Sequence, residues 1–365
     1  MRTRALLVGF SLVLVAGCGR SDGNVATNRD SERSLDSAPP SRVVDLPAGL
    51  SNAVDVAVSE SRQVLIASPE EERELRSVSI VEVDGSLSRV DDLPALRRAS
   101  ALGTADGFVL VGYVCAGAMQ SSSRCPMGAA AEQIDDVTLV AVFIDDGGTV
   151  GPVIRGPAGR SDLVGRPTAR PHGALVSVDH RHYEVDVSGF HQIEVPDQTA
   201  AICGLGDGSI VAQLVEEDPD RPDDEPATVS FRRLDGGAWQ DEGEPFTVTN
   251  AAGDVATASC VPGGMVFPQG IASSATGLML GDRDGESTGP SLDGREPDQA
   301  IGLAPSGVVV RENRYAATVE LVNWSVGTVD AKRAFRGVVG AGCSWDGRVL
   351  AVLHDSVLTI AEVEL

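Results

Sequence analysis

The run AAICGLGDGSIVAQLV, residues 200–215, decides how the rest of the chain is read. It opens with small and apolar residues and turns through Gly-Asp-Gly-Ser. It then continues as an almost unbroken series of branched apolar residues. Asp-Gly supplies the left-handed backbone that a tight hairpin needs. Six other segments repeat this pattern: VDVAVSESRQVLIA (54–67), ASALGTADGFVLVG (99–112), LVGRPTARPHGALVSV (163–178), ATASCVPGGMVFPQ (256–269), AIGLAPSGVVV (300–310) and GAGCSWDGRVLAVL (340–353). The turn markers are Arg62, Gly107, Gly173, Gly208, Gly264, Gly307 and Gly347, with gaps of 45, 66, 35, 56, 43 and 40 residues.

Several copies carry a further hairpin. Residues 77–83 and 88–90 flank Asp84-Gly85, residues 138–144 and 150–154 flank 145–148, and residues 228–234 and 238–248 flank Asp235-Gly236-Gly237. The last copy has only a third strand, 357–363. A spare strand, Arg42-Val43-Val44-Asp45-Leu46, precedes the first copy and is free to serve as the missing fourth, pairing one end of the chain with the other. Ring closure of this kind removes two open sheet edges. A 40–50-residue period with about four strands per copy is the pattern of a propeller blade. The chain resembles seven-bladed β-propellers across residues 42–365, without a Trp-Asp or kelch signature that would narrow the subfamily. The expected fold is all-β: a seven-bladed β-propeller of four-stranded antiparallel blades, closed by the N-terminal strand. A pair of β-sandwich domains is the alternative that the same strand signals allow.

Composition agrees with many short strands. Aromatic residues are 4% of the 365, against 41 Gly and 20 Pro, and apolar residues are 42%. The formal charge of −24 disfavours nucleic acid and anionic lipid surfaces as electrostatic partners, since both call for Lys and Arg.

The N-terminus carries the most specific motif. Arg2 and Arg4 precede an apolar run, 5–15, too short to span a bilayer, which takes about 20 residues. The run ends Val15-Ala16-Gly17-Cys18. This resembles the lipobox of bacterial lipoproteins and implies a signal peptide over 1–17, cleavage before Cys18 and lipidation of its thiol. Residues 19–40 are polar and of mixed charge, too poor in apolar groups to offset their ordering entropy, and read as a flexible tether. The domain follows at 41–365. Gly19-Arg20-Ser21-Asp22-Gly23 matches a hydrolase elbow by chance, because that motif works only on a strand-to-helix turn. The expected location is the extracytoplasmic face of the cell membrane, held by lipid.

Exported chains sit where disulfides persist. Cys115 and Cys125 bracket a short segment and are expected to pair. Cys203, Cys260 and Cys343 hold equivalent places on inner strands. Packed sheets lie about 10 Å apart, beyond disulfide reach. Small buried packing is therefore the expected role of these three, with a Cys203–Cys260 bridge as the alternative.

Chemistry is thinly supplied. His180 and His182 have strand-alternate spacing that would put both imidazoles on one face, near His172 and Asp179, but an outer hairpin normally leaves such groups solvated. The acidic run 216–225 includes Asp218, Asp220, Asp223, Asp224 and Glu225, a candidate binding loop for a basic surface or cationic ligand. Oxygen clusters of this kind suit Ca²⁺, but the order of a dedicated calcium loop is missing, and no cofactor is expected. Asp282-Arg283-Asp284-Gly285-Glu286 is a fragment of one. The inner strands offer Asp55, Arg98, Asp162 and Arg166 and no ring of His or paired Glu, so neither catalytic residues nor metal ligands are assigned. A non-catalytic protein- or ligand-binding module is the expected function. A propeller hydrolase or lyase with a divalent ion in the channel is the alternative. Binding is expected on the face carrying the long insertions, 115–136 and 216–227.

Overall fold

The computed structural model describes residues 41–47, 50, 55–69, 75–115, 137–160, 165–216, 227–248, 259–262, 264–267, 271–274, 277–279, 300–303, 308–313, 318–323, 338–354 and 356–362. A compact unit runs from Pro39 to Leu365. It begins with β1 (Ser41–Asp45). Blade 1 is β2 (Asp55–Val58), β3 (Val64–Pro69), β4 (Leu75–Val81) and β5 (Leu87–Val90). Blade 2 is β6 (Arg97–Thr104), β7 (Gly107–Cys115), β8 (Val137–Asp145) and β9 (Val150–Gly159). Blade 3 is β10 (Thr168–Arg170), β11 (Gly173–Val178), β12 (Arg181–Asp186) and β13 (Gly189–Ile193). Blade 4 is β14 (Thr199–Gly204), β15 (Ile210–Val215), β16 (Ala227–Asp235) and β17 (Ala238–Asp241), with β18 (Phe246–Val248) also on β16. Blade 5 is β19 (Ser259–Val261), β20 (Gly264–Phe267), β21 (Ile271–Ser274) and β22 (Gly277–Met279). Blade 6, among the described residues, is β23 (Ala300–Leu303), β24 (Val308–Asn313) and β25 (Thr318–Asn323). Blade 7 is β26 (Val338–Cys343), β27 (Val349–His354), β28 (Val357–Glu362) and β1.

The strand pairings within each described blade are antiparallel, and the inner strands form a ring, with one isolated parallel bridge between Val58 and Ser344. β2 packs on β6, β6 on β10, β10 on β14, β14 on β19, β19 on β23, β23 on β26, and β26 again on β2. This is a seven-bladed propeller. Ser41 pairs with Ala361 and Asp45 with Val357, so blade 7 is completed from the other end of the chain. Leu46 N–H donates to the Ser356 carbonyl at 2.9 Å, and Leu46, Leu50 and Val44 pack with Leu353, Leu358 and Ile66.

The core lies in the seams between blades rather than in one central mass. One seam joins Leu65 and Ile80 of blade 1 to Phe108 and Leu110 of blade 2. The next joins Val109 and Leu139 to Val176 and Val185 of blade 3. A second strand therefore has a neighbouring sheet on each face. Every residue of β7 and of β15 is buried, which explains their unbroken apolar runs. The inner strands crowd around the axis and need small residues. A Cβ on Gly103 would overlap the Val58 carbonyl, and one on Gly342 the Val56 carbonyl. The described turn markers lie between first and second strands or open the second strand. Arg62 takes φ 68° where the fourth and seventh copies have Gly208 (φ 83°) and Gly347 (φ 73°), and its guanidinium pairs with Glu362.

Three expectations need correction. Cys203 and Cys260 are joined by a disulfide, with Cα atoms 5.2 Å apart, and only Cys343 is free among the described cysteines. The 10 Å spacing holds where sheets pack face to face. Blades converge like wedges at the axis, and there the inner strands β14 and β19 come within reach. Secondly, 238–248 is not one strand. Gly243 at φ 74° and Pro245, which has no N–H, divide it into β17 and β18, both still on β16. Thirdly, His180 does not share a strand face with His182. Asp179 (φ 49°) and His180 (φ 61°) form the β11–β12 turn, and only His182 belongs to the strand.

Candidate functional site

First strands run from the blade-to-blade connection toward the tight turn, and second strands run back. Residues at the start of β2, β6 and β10 and at the end of β7 therefore share one end of the blades. The insertion following Cys115 leaves from this end. The short turns, such as 105–106 and 206–208, lie at the other end. So does Ser41, whose neighbour Arg42 bonds the carbonyl of Val83 in the β4–β5 turn.

A cleft of about 260 Å³ opens at the insertion end, between blade 2 and the segment leading into β10. Val111, Tyr113 and Leu139 form its apolar wall, and Pro167 and Gly165 its opposite side. Ser100, Arg98 and Arg166 supply the polar groups. A β-bulge builds the wall. Arg97 pairs with Tyr113 and Ser100 with Val111, so Arg98 and Ala99 together face the single residue Gly112. A Cβ on Gly112 would stand 2.9 Å from the Arg97 carbonyl oxygen and 3.1 Å from Ala99 Cα, so the bulge needs glycine there. Arg98 adopts φ 45°, a left-handed conformation that an Arg enters only at a cost. Bulges re-aim side chains beside functional sites.

Arg98 is half-buried and Arg166 exposed, and neither forms an ion pair among the described residues. Beside them, Asp55 begins β2. Its Oδ2 accepts the Ala101 N–H at 2.7 Å, anchoring β2 to β6 one residue from Ser100. Desolvation pushes the Asp55 carboxyl up to about 6, opposed by the Ala101 N–H and the charge of Arg166. The cleft is thus lined by two arginines, with one buried carboxyl of raised pKa beside them.

The other sequence candidates disperse. Cys115 ends β7, buried and disulfide-bonded. Cys125 lies outside the described residues, as do Cys18, Asp162, the acidic residues Asp218, Asp220, Asp223, Asp224 and Glu225, and the fragment 282–286. His172 bonds Asp106 at 2.7 Å across the turns of blades 2 and 3. His182 is half-buried. Burial lowers its pKa, with the nearby His180 adding to the effect, and its Nδ1 has no hydrogen-bond partner. His191 Nε2 meets Ser188 Oγ at 2.9 Å and Asp186 Oδ1 at 3.2 Å, but the same Ser188 Oγ donates to Asp186 at 2.6 Å. This is an Asx turn capping the β12–β13 hairpin, not a nucleophile with its base. The sequence named Arg98 and Arg166 as inner-strand polar residues. It gave no signal for Tyr113 or Leu139, whose place depends on register and on the bulge.

No family model matches the sequence, and no curated protein matches it. Among solved structures, the chain is similar to one from a mitotic checkpoint complex, at 17% identity and a TM-score of 0.48, covering 98% of this chain and 100% of that one. It is also similar to a streptogramin B lyase, at 11% identity and a TM-score of 0.45, covering 90% and 98% of the two chains. A virginiamycin B lyase from Staphylococcus aureus gives 10% identity, a TM-score of 0.46 and coverage of 89% and 99%. The propeller assignment rests on the seven sheets, their register and the closed ring of inner strands.

Proposed function

We propose that the chain is a lipid-anchored, extracytoplasmic, non-catalytic binding propeller that engages its partner on the insertion end of the blades. One observation carries this reading: the cleft lined by Arg98 and Arg166 opens at the end from which the long insertions leave. The opposite end is closed by short turns. In this reading Cys18 carries the lipid after removal of 1–17, and residues 19–40 link it to Ser41. Ser41 enters the propeller at the short-turn end. The acidic loop containing Asp218, Asp220, Asp223, Asp224 and Glu225 would recognise a basic protein surface or cationic ligand, through contacts that weaken with salt.

Two experiments test the proposal. Cys18→Ala should leave the precursor uncleaved or release the protein in soluble form, and a variant still fully membrane-bound at mature size refutes the anchor. Replacing 116–136 and 217–226 by Gly-Ser linkers should abolish capture of crosslinked partners from native membranes while leaving Tm in place. Capture that survives both replacements refutes the assignment of the binding face.

A further inference from the structure

We propose that the cleft between blades 2 and 3 binds a small organic monoanion, its carboxylate held by Arg98 and Arg166 and its apolar body resting on Val111, Tyr113 and Leu139. The inference deepens the reading of the insertion end as the binding face and does not need the lipid anchor.

The first support is charge. Acidic residues outnumber basic ones 53 to 29 in this chain, so a guanidinium group has abundant partners. Several other described arginines take them, although Arg155 and Arg181 do not: Arg170 reaches Glu184, Arg232 reaches Asp241, and Arg233 reaches both Asp207 and Glu242. Arg98 and Arg166 line one cleft, and neither makes an ion pair among the described residues. Two planar donor forks in one concavity match a carboxylate, which guanidinium binds in bidentate fashion.

The second support is the backbone. Arg98 is placed by a bulge that Gly112 alone permits, at a φ of 45° that neither Gly nor Asn is present to relieve. Left-handed backbone at a non-glycine residue is strained and recurs at ligand clamps. A regular strand with Arg98 in the ladder would avoid that cost and would not build this wall.

The third support is the balance of charge and size. Asp55 lies close enough to Arg166 to feel its charge, and when ionised it offsets one of the two guanidinium groups. The remaining single positive charge suits a monoanion better than a dianionic phosphate. The volume, about 260 Å³, lies near the lower end of small-ligand sites and admits one ring or a short chain beside the carboxylate.

The test titrates the full-length mature chain, in detergent and at constant ionic strength, with sodium benzoate, followed by calorimetry. Benzyl alcohol supplies the uncharged counterpart and inorganic phosphate the competing anion. Benzoate should bind saturably at one site, and benzyl alcohol should not compete. Arg98→Gln and Arg166→Gln should each weaken benzoate at least tenfold. Arg166 is exposed, so its replacement tests the site even if the bulge variant fails to fold. The loop-swapped protein should keep benzoate while losing partner capture, which separates failure of this inference from failure of the broader reading. Absence of saturable benzoate binding overturns the proposal. So does an affinity unchanged in Arg166→Gln, and so does phosphate binding more tightly than benzoate.

Discussion

Removing the Cys203–Cys260 bridge tests whether the inner ring holds its own register. The perturbation is the double variant Cys203→Ala/Cys260→Ala, which leaves small residues on β14 and β19. The bridged residues are 57 apart in sequence, and closing a loop of that length removes about 4 kcal/mol of unfolded-chain entropy in the chain-entropy model. Cys203 is fully buried beside Val211, Phe231 and Met265, so the lost sulfur atoms add a small packing deficit in the same direction. With an unfolding entropy of about 2 cal/mol/K per residue, the loss amounts to roughly 6 °C in Tm for a unit of this size. Denaturant titration of the native and double-variant proteins measures it, with hydrogen exchange over 199–215 reporting whether opening is confined to the blade 4–5 seam. A loss under about 1 kcal/mol would refute the reasoning, because the bridge would then constrain nothing that the seam does not already fix.

Other expectations follow from single groups. Asp55 titrates higher in the folded chain than in the unfolded one, so its contribution to stability is present below about pH 4 and lost as pH rises through about 6. The full effect is on the order of 3 kcal/mol, and Asp55→Asn should gain on the native protein by that order between pH 4 and 7; unfolding curves parallel across that window would exclude it. Asp186, drawn down to about 2 chiefly by the Ser188 hydroxyl, acts with the opposite sign, so that its contribution present above pH 4 is lost toward pH 2, and Asp186→Asn should flatten that limb of the acid denaturation curve. Burial raises the Cys343 thiol to about 12, so iodoacetamide should leave it unmodified in the native protein and label it only after denaturation, as mass spectrometry would show. Deleting 19–40 should leave Tm almost unchanged, while deleting 19–47 should lower it by many degrees through loss of the β1–β28 ladder; equal effects would argue against closure by that strand.

The repeat was legible because two physical demands recur in blades 1–4 and 7. The first turn needs a compact, often left-handed corner, and the second strand needs apolar groups on both faces. The markers Gly208 and Gly347 therefore fall between the first two strands of their sheets, and Gly107 and Gly173 open the second strand of theirs. Arg62 shows that even a non-glycine marker was readable from its neighbours. Distances between blades were not legible. A uniform sheet spacing placed Cys203 and Cys260 out of reach, whereas the wedge geometry brings them together at the axis. The cleft was half legible. Arg98 and Arg166 stood out as charges among small residues. The two-against-one relation of 98–99 to Gly112 exists only once β6 and β7 are paired, so the wall of Val111, Tyr113 and Leu139 left no trace in the composition.

Closure by β1 also sets an order of events. Arg62 and Glu362, which pair beside the closing ladder, are 300 residues apart, and every blade between them must be laid down before they can meet. Contacts so distant along the chain form late, since loop entropy has to be overcome first. Until then the outer face of β28 is an unpaired template at which a second molecule could add its own strand. A strand 41–45 from another copy fits that template as well as the chain's own. Refolding at high concentration should therefore favour strand-exchanged dimers, and dilution should favour monomers.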